Sequence, residues 1–90
     1  MTKKKKNEQI NVTLFWPPGA GRSGYKGPAF AVSSESALGK FDILPEHTNF
    51  ISLIFNKLSI LTLGKRKIDF QFKRGVLEVS EDNVKIFLGV

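Results

Sequence analysis

The sequence contains no cysteine and only one histidine among its 90 residues. Disulfide bonds and thiolate chemistry are therefore excluded, and a zinc site would have to use carboxylates almost alone, which is unusual. The longest apolar run, Ile51–Phe55, is interrupted by Ser52 and falls far short of the about 18 residues of a membrane span. We therefore expect a soluble chain without a cofactor. We expect no signal peptide either, because polar residues follow the basic start.

The excess of positive charge is concentrated at the N-terminus. The net charge is +6, but Lys3–Lys6 supply four of the positive charges, and residues 7–90 carry ten Lys and Arg against eight Asp and Glu. A charge run of this kind is typical of a solvated tail. The sequence therefore predicts a basic flexible tail over residues 1–9 and a single domain over residues 10–90.

Alternation of apolar and polar residues predicts strands along most of this domain. The clearest alternating sets are Ile10, Val12 and Leu14; Ile68, Phe70 and Phe72; and Val84, Ile86 and Leu88. Turn signals separate such runs at intervals of about 8–12 residues, which is typical of a sandwich or barrel. The predicted fold is all-β: a small antiparallel β-sandwich or flattened barrel of about 8–10 short strands.

The same patterns predict where the chain turns. Residues 17–28 hold three of the four prolines and four of the eight glycines, so they are predicted to form a loop. Residues 33–39 and 73–75 are predicted turns, and Phe30 is expected to share a face with Val32. Residues 48–58 fit both a helix and a strand, and their β-branched and aromatic residues favour a strand.

The segment Gly19–Gly24 matches the GxGxxG pattern of dinucleotide-binding loops. That chemistry needs a helix that begins at the glycines and holds a pyrophosphate at its N-terminus. Gly27 and Pro28 would break such a helix, and Tyr25-Lys26 does not complete a P-loop. A flexible connection between two strands is the favoured interpretation.

Candidate catalytic residues are few. His47 has no cysteine or serine nucleophile pattern near it, so a structural histidine after Pro45 is favoured. Glu78 and Glu81 are better explained by the solvent side of a strand and a turn than by an acid–base pair. We therefore expect no catalytic residue and no enzyme activity in this chain.

Two basic clusters, residues 65–67 and 73–74, flank the strand predicted at 68–72. At about 3.3 Å per residue they would lie roughly 20 Å apart, which is a poor single patch for nucleic acid. Solvated strand ends are the favoured interpretation. A small basic β-module that binds nucleic acid or another protein remains the alternative.

Three separated motifs resemble one family. Gly39–His47 reads Gly-Lys-Phe-Asp-Ile-Leu-Pro-Glu-His, Tyr25–Gly27 reads Tyr-Lys-Gly, and Gly75–Val79 is followed by Asn83–Ile86 in the pattern Gly-apolar-apolar-Glu-Val, then Asn-Val-x-apolar. In this order and spacing they resemble the N-terminal domain of the ε subunit of F-type ATP synthases, called δ in mitochondria. The resemblance covers about residues 10–90.

The resemblance implies a β-sandwich and a place in the rotor. Members of that family clamp the γ subunit to the membrane c-ring, so that proton- or sodium-driven rotation reaches the catalytic α/β head; they do not catalyse the reaction. It therefore implies γ and the polar loops of the c-ring as direct partners and the head as an indirect one. No nucleic acid is expected. The implied location is the cytoplasmic face of the cell membrane, in peripheral association.

The resemblance also implies which residues contact the partners. The family loop that lies near the c-ring corresponds to one segment of this chain, and two further positions are candidates for the γ-facing surface. The ring-loop candidates are Lys40, Phe41, Asp42, Ile43, Leu44, Pro45, Glu46 and His47; the γ-facing candidates are Ser52 and Glu78. Phe41, Ile43 and Leu44 are expected to hold the loop, while Lys40, Asp42, Glu46 and His47 offer polar contacts.

The sequence departs from the family pattern at informative positions. Lys40 replaces an acidic residue, and Asp42 and Glu46 replace glycines. If either glycine position needs a positive φ, the loop is expected to bend differently here. The sequence ends at Val90, directly after the last predicted strand, so we expect it to lack the C-terminal helical hairpin through which family members inhibit rotation.

Overall fold

The computed structural model describes residues 8–90, in which six strands and no helix are present. The strands are β1 (Ile10–Phe15), β2 (Tyr25–Ser36), β3 (Gly39–Ile43), β4 (Phe50–Thr62), β5 (Lys67–Ser80) and β6 (Asn83–Leu88). The predicted all-β class is confirmed, as is a strand rather than a helix over most of residues 48–58. The described residues contain no helix that could cross a membrane. The predicted tail falls almost wholly outside them.

The strands form one sheet that closes on itself. Their order is β1-β6-β5-β4-β2-β3, and β1 also pairs with β2, which closes a flattened barrel. Every pairing is antiparallel except β1–β6, which is parallel. The predicted antiparallel barrel is confirmed, with this one parallel pair as the exception. β1 and β6 are the first and last strands, so no tight turn joins them and none forces them to run in opposite directions.

The three long strands, β2, β4 and β5, each contribute one half to each of two layers. This explains why six strands are present where 8–10 short strands were predicted. Register shifts interrupt β2 between Ala29 and Ala31 and the β4–β5 pair between Phe55 and Lys57. β4 and β5 pair with each other along both halves, but β2 joins only the second half of β4 and β6 only the second half of β5, as in sandwiches whose strands change sheets at bulges. Counted by halves, the six strands supply nine segments.

We call the two layers the front and back sheets. The front sheet contains β1, β6, the first half of β4 (50–55) and the second half of β5 (74–80), with the start of β2 beside β1. The back sheet contains β3, the second half of β2, the second half of β4 (57–62) and the first half of β5 (67–71).

The core lies between these sheets. Its buried apolar members are Ile10, Val12, Leu14, Ala29, Val32, Ile43, Ile54, Leu58, Ile60, Leu77, Val79, Val84, Ile86 and Leu88. Phe70 and Phe72 are half-buried and pack against them. The alternation predicted for β1 and β6 is confirmed. Each fully buried aliphatic side chain contributes about 1.5–3 kcal/mol relative to exposure, so this shared interior dominates the stability of the fold.

A bulge, and not a turn, lies at residues 73–75. Phe72 and Lys73 of β5 together face the single residue Asn56 of β4. One extra residue moves the inward positions of β5 from Phe70 and Phe72 to Gly75 and Leu77. The predicted turn is therefore wrong. The alternation changes at residues 73–75 because of the bulge, and the bulge keeps both halves of one continuous strand facing the core.

The β2 predictions are corrected in a similar way. β2 begins at Tyr25, inside the predicted loop, and extends to Ser36, inside the predicted turn at 33–39. Its irregularity at Ala29/Ala31 turns Phe30 outward, 36% exposed, while Ala29 and Val32 are both buried. Phe30 and Val32 therefore do not share a face.

Gly75 allows β5 and β6 to approach closely. A Cβ built there would lie 2.8 Å from the carbonyl oxygen of Phe87 and 2.9 Å from Cδ2 of Leu88. Both distances are shorter than van der Waals contact allows. The glycine that opens the Gly-apolar-apolar-Glu-Val motif is thus required by packing.

We expect Gly75→Ala to lower the free energy of unfolding by about 1–3 kcal/mol, because the strands must move apart. Gly64→Ala is the matched control, since its Cβ would meet only Thr62 Oγ1, at 3.8 Å; we expect a change within about 0.5 kcal/mol. Urea unfolding of both variants measures the difference. Equal stability of the two would contradict the packing explanation.

Candidate partner-binding site

The loop between β3 and β4, residues 44–49, begins with a tight turn. The His47 amide donates to the Leu44 carbonyl at 3.2 Å, with Pro45 and Glu46 at the centre. Glu46 has a φ of 64°, so this is the geometry of a type II turn, which needs a positive φ at its third residue. Proline at the second position and a left-handed third residue explain why the chain reverses here.

Glu46 thus adopts the backbone conformation that a glycine would adopt without strain. Asp42, the other residue at a family glycine position, lies in extended β3 opposite Ser33 and accepts a hydrogen bond from its hydroxyl at 2.6 Å. Only one of the two substitutions therefore meets a positive φ. The loop forms its turn with Glu46 in this conformation, at a cost of about 1–2 kcal/mol.

The β5–β6 turn anchors this loop. Glu81 and Asp82 form a two-residue turn, with φ values of 52° and 64°, as type I′ hairpins require. The Asp82 carboxylate accepts the Glu46 amide at 2.6 Å, and the Glu81 amide donates to the Asn49 side-chain oxygen at 3.0 Å. Two hydrogen bonds therefore join the loop to the β5–β6 turn, one at Glu46 in the middle of the loop and one at Asn49 at its end.

Asp82 also reaches the start of the sheet. Its carbonyl accepts the Asn11 amide at 2.9 Å, and its side chain is buried, with 8% exposed. Asp82 therefore connects β1, the β3–β4 loop and the β5–β6 turn at one end of the barrel. A buried carboxylate that accepts backbone amides is expensive to remove because those donors lose their partner.

Aromatic packing supports the loop from beneath. Phe41 meets Phe50 edge to face, with ring centroids 5.8 Å apart, and the His47 ring lies 5.1 Å from Phe50. His47 Nδ1 lies 2.7 Å from the Thr48 carbonyl, which can only accept, so Nδ1 is the donor. The His47 side chain is thus held by the Phe50 ring and by the Thr48 carbonyl.

Four of the predicted site residues line one groove. Lys40, Phe41, His47 and Ser52 surround a volume of about 460 Å³, together with Leu38, Phe50 and Ile51 among others. Positive charge, a ring edge and a hydroxyl therefore meet at one open surface. The groove offers both polar and apolar groups at the surface. Among residues 8–90, no cluster of three or more His, Cys, Asp or Glu could hold a metal ion.

The other predicted loop residues have different surroundings. Ile43 is fully buried, Pro45 is half-buried, and Leu44 is 54% exposed. Asp42 and Glu46 are exposed. Ile43 therefore packs in the core and Phe41 packs against it, whereas Leu44 offers apolar surface.

The two γ-facing candidates do not share a surface. Ser52 lies opposite Leu77, whereas Glu78 lies opposite Ile51 and Lys85. Directly opposite residues share a face of the sheet, so Ser52 is on the core side of an edge strand and Glu78 is on the outer face of the front sheet. Ser52 belongs with the groove, and Glu78 belongs with a surface that the sequence reasoning missed.

That missed surface is a row of apolar side chains across the outer face of the front sheet. Phe15 pairs with Phe87, Phe87 with Val76, and Val76 with Leu53. The Phe15 and Phe87 rings stack with centroids 5.2 Å apart, yet they remain 45% and 37% exposed. Leu53 is 52% exposed, and neighbouring Ile51 is 68% exposed. Contiguous exposed apolar surface of this kind marks an interaction site.

The sequence contains a signal for this row. The inward-facing positions of β1 and β6 are already apolar, and Phe15 and Phe87 lie at outward-facing positions of these strands. Each strand therefore has apolar residues on both faces there. The GxGxxG segment, in contrast, is followed by strand β2 and by no helix, so the dinucleotide chemistry lacks the element it needs.

We expect Asp82→Ala to lower the free energy of unfolding by about 1–3 kcal/mol, because the Glu46 amide loses its buried acceptor. Asp82→Asn is the control: its amide oxygen can still accept, and asparagine tolerates positive φ, so we expect a loss below about 1 kcal/mol. Urea unfolding and exchange of the Glu46 amide hydrogen measure both effects. Wild-type exchange of that amide in the alanine variant would contradict the anchor.

We expect Glu46→Gly to raise the free energy of unfolding by about 0.5–1 kcal/mol, because relief of the left-handed conformation exceeds the entropy that glycine costs. Glu46→Ala removes the same side chain but keeps the strained φ, so it should give no gain. Thermal unfolding of the pair separates backbone from side-chain effects. A gain in the alanine variant equal to that of glycine would contradict this explanation.

Comparisons with known proteins were made at the level of sequence and of structure. No family profile and no curated protein matches the sequence. The structure is similar to a chain in the cryo-EM structure of the Euglena gracilis mitochondrial ATP synthase OSCP/F1/c-ring, with a TM-score of 0.81 and 18% identity over 97% of this chain. It is also similar to a chain in the Tetrahymena thermophila mitochondrial ATP synthase central stalk and c-ring structure, with a TM-score of 0.70 and 16% identity over 94% of this chain.

These similarities concern the fold. This chain spans 54% of the Euglena chain and 66% of the Tetrahymena chain, so it corresponds to part of each. Both structures are ATP synthase assemblies that include a c-ring. The resemblance inferred from the three sequence motifs is therefore confirmed at the level of the fold: the structural neighbours of this β-barrel are found in mitochondrial ATP synthase stalk and rotor structures.

Proposed function

We propose that this chain is a non-catalytic subunit of the central stalk of an F-type ATP synthase, where residues 10–90 clamp a γ subunit to the c-ring. The observation that carries the proposal is the match of almost the whole chain, 97%, to a chain of an ATP synthase structure at a TM-score of 0.81. The three sequence motifs support it independently. Because fold alone does not determine function, the surfaces of this chain must also fit the role.

The apolar row on the front sheet is the proposed γ-facing surface. Aromatic side chains at the centre of an interface supply most of its binding energy when a partner excludes water from them. The stacked pair Phe15 and Phe87 is rigid, so its burial costs little side-chain entropy. Glu78 and Lys85 adjoin the row and form its proposed polar rim.

The groove at Lys40, Phe41, His47 and Ser52 is the proposed ring-facing surface. The two hydrogen bonds from the β5–β6 turn hold the neighbouring loop before any partner arrives, so docking orders little additional chain. Lys40 presents a positive charge where the family usually has a negative one. The ring loop that meets it is therefore expected to carry an acidic residue, since opposite charges across an interface set the register.

The mechanism is mechanical. Two surfaces on one closed β-barrel transmit torque from ring to γ without a chemical step in this chain. The α/β head is reached only through γ, nucleic acid has no part, and the membrane is approached only through the ring. The proposed location is peripheral, at the cytoplasmic face of the membrane.

The test is to purify the native complex through a tag on this chain and to identify the co-purifying subunits by mass spectrometry. We expect γ and c subunits with the wild type. Leu53→Glu should lower γ recovery at least about tenfold, because a charge would be buried in the apolar interface. Lys40→Glu should lower c-subunit recovery and spare γ.

Leu63→Glu is the matched control, since Leu63 lies in the β4–β5 turn, 37% exposed, outside both surfaces. It should leave both recoveries unchanged. If the wild type recovers nucleic acid or an unrelated protein instead of ATP synthase subunits, the rotor assignment is wrong. If all three variants behave alike, the assignment of the two surfaces is wrong.

A further inference from the structure

The first half of β5, residues 67–72, has a free edge, which we call the β5 edge. On one side this segment pairs with residues 57–61 of β4. On the other side no strand among residues 8–90 pairs with it, because β6 pairs only with residues 75–80. An unpaired strand edge is a template for another chain unless something blocks it.

The hydrogen-bonding groups of this edge point outward. The Thr62 amide donates to the Arg66 carbonyl at 2.8 Å, so these two residues form a hydrogen-bonded pair. Because such pairs alternate along an antiparallel ladder, the amides and carbonyls of Lys67 and Asp69 point away from β4. The Gln71 carbonyl also points outward, since Arg22 donates to it from that side at 3.2 Å.

A groove of about 810 Å³ lies at one end of the edge. Its lining consists mostly of aromatic and cationic side chains: Trp16, Phe55, Phe72, Arg22, Lys73 and Arg74. Gln71, Gly89 and Val90 complete it. The Arg22 guanidinium stacks on the Trp16 ring, 4.0 Å from its centroid. No carboxylate side chain lines this groove, so it suits a ligand with apolar and acidic groups.

The Pro/Gly-rich loop shapes this groove. Trp16 Nε1 donates to the Ser23 carbonyl at 3.2 Å, which folds the loop back on itself. That fold brings Arg22 to Gln71, 49 positions further along the sequence. The segment that matched GxGxxG thus places a cation beside the β5 edge.

Basic residues flank the edge at both ends. Residues 65–67 lie at one end and residues 73–74 at the other, separated by about 20 Å, the length of a six-residue strand. The two basic clusters are too far apart to form a single patch. Their separation equals the length of an extended peptide segment of about six residues, so each cluster can meet one end of such a segment.

We propose that the β5 edge binds an extended polypeptide segment of a partner protein, about six residues long, with acidic residues at both ends and an apolar side chain between them. Backbone hydrogen bonds to Lys67, Asp69 and Gln71 supply the pairing, as in other strand-addition complexes. The terminal carboxylates meet the basic clusters. The apolar side chain enters the groove against Trp16 and Phe72. This site is separate from the two proposed rotor surfaces and does not depend on them.

A second explanation for the lysines is that they keep the edge from pairing with other chains. Charge alone is enough to keep an edge from pairing with other chains, whereas the β5 edge also has three aromatic side chains beside it. Arg22 covers the Gln71 carbonyl in the unbound chain and must leave when a strand adds. An acidic partner compensates for that loss with a charge-assisted hydrogen bond to the guanidinium, which a neutral strand does not.

The test uses the full chain and the peptide Glu-Glu-Val-Thr-Val-Phe-Glu-Glu. Trp16 is the single tryptophan and lines the groove, so its fluorescence reports binding there. We expect saturable binding and slower hydrogen exchange, by about tenfold or more, at the amides of Lys67 and Asp69. The same peptide N-methylated at alternate residues should bind at least about tenfold more weakly, because it cannot pair with the edge.

Lys73→Glu should weaken binding, and Lys26→Glu, an equal charge change on exposed β2, should not. Arg22→Gln gives a second variant with the groove charge reduced and no carboxylate introduced; it should also weaken binding. Equal binding of the methylated and unmethylated peptides would overturn strand addition, as would equal binding of an oligothymidylate of eight nucleotides, which would indicate a general anion surface. Neither result bears on recovery of γ or c subunits, so the two proposals fail separately.

Discussion

The bend in the β4–β5 hairpin is the constraint on which the rest of the structure depends. Thirteen- and fourteen-residue strands are too long for one layer of a domain this small. The extra residue in β5 opposite Asn56 lets the hairpin pass from the front sheet to the back sheet while both halves keep their apolar side chains inside. The same passage separates β5 from β6, and this separation leaves the β5 edge unpaired.

The bend also separates the proposed surfaces. The front face is made where β4 and β5 are flanked by β6 and β1, so Leu53 and Val76 can align with Phe87 and Phe15. The β5–β6 turn that follows carries Asp82 to the β3–β4 loop. One hairpin therefore organises the apolar face, the anchored loop and the free edge. A mutation that straightens it would disturb all three surfaces together.

The sequence predicts what depends on local alternation and misses what depends on register. Val84, Ile86 and Leu88 alternate without interruption, so their burial follows from period two alone. Around residue 74 the alternation of buried and exposed side chains shifts by one position. A turn and a bulge both produce such a shift, so the sequence alone does not distinguish them. The prediction that Phe30 shares a face with Val32 is wrong for the same reason, because the irregularity at Ala29/Ala31 shifts the alternation. The β3–β4 loop was located by its motif, but its anchor, Asp82, lies 36 positions from Glu46, a pairing that only the assembled sheet determines.

The exposed aromatic row and the strained Glu46 are opposite departures from a sequence optimised for stability alone. Polar residues in place of Phe15 and Phe87 would remove exposed apolar surface, and glycine at position 46 would relieve the left-handed backbone. The buried core does not include the side chains of Phe15, Phe87 or Glu46. Departures from local rules that have no structural benefit are expected at functional sites. Here they occur on two different surfaces, one apolar and one polar. The rotor role proposed above requires two unlike surfaces of this kind at a fixed separation.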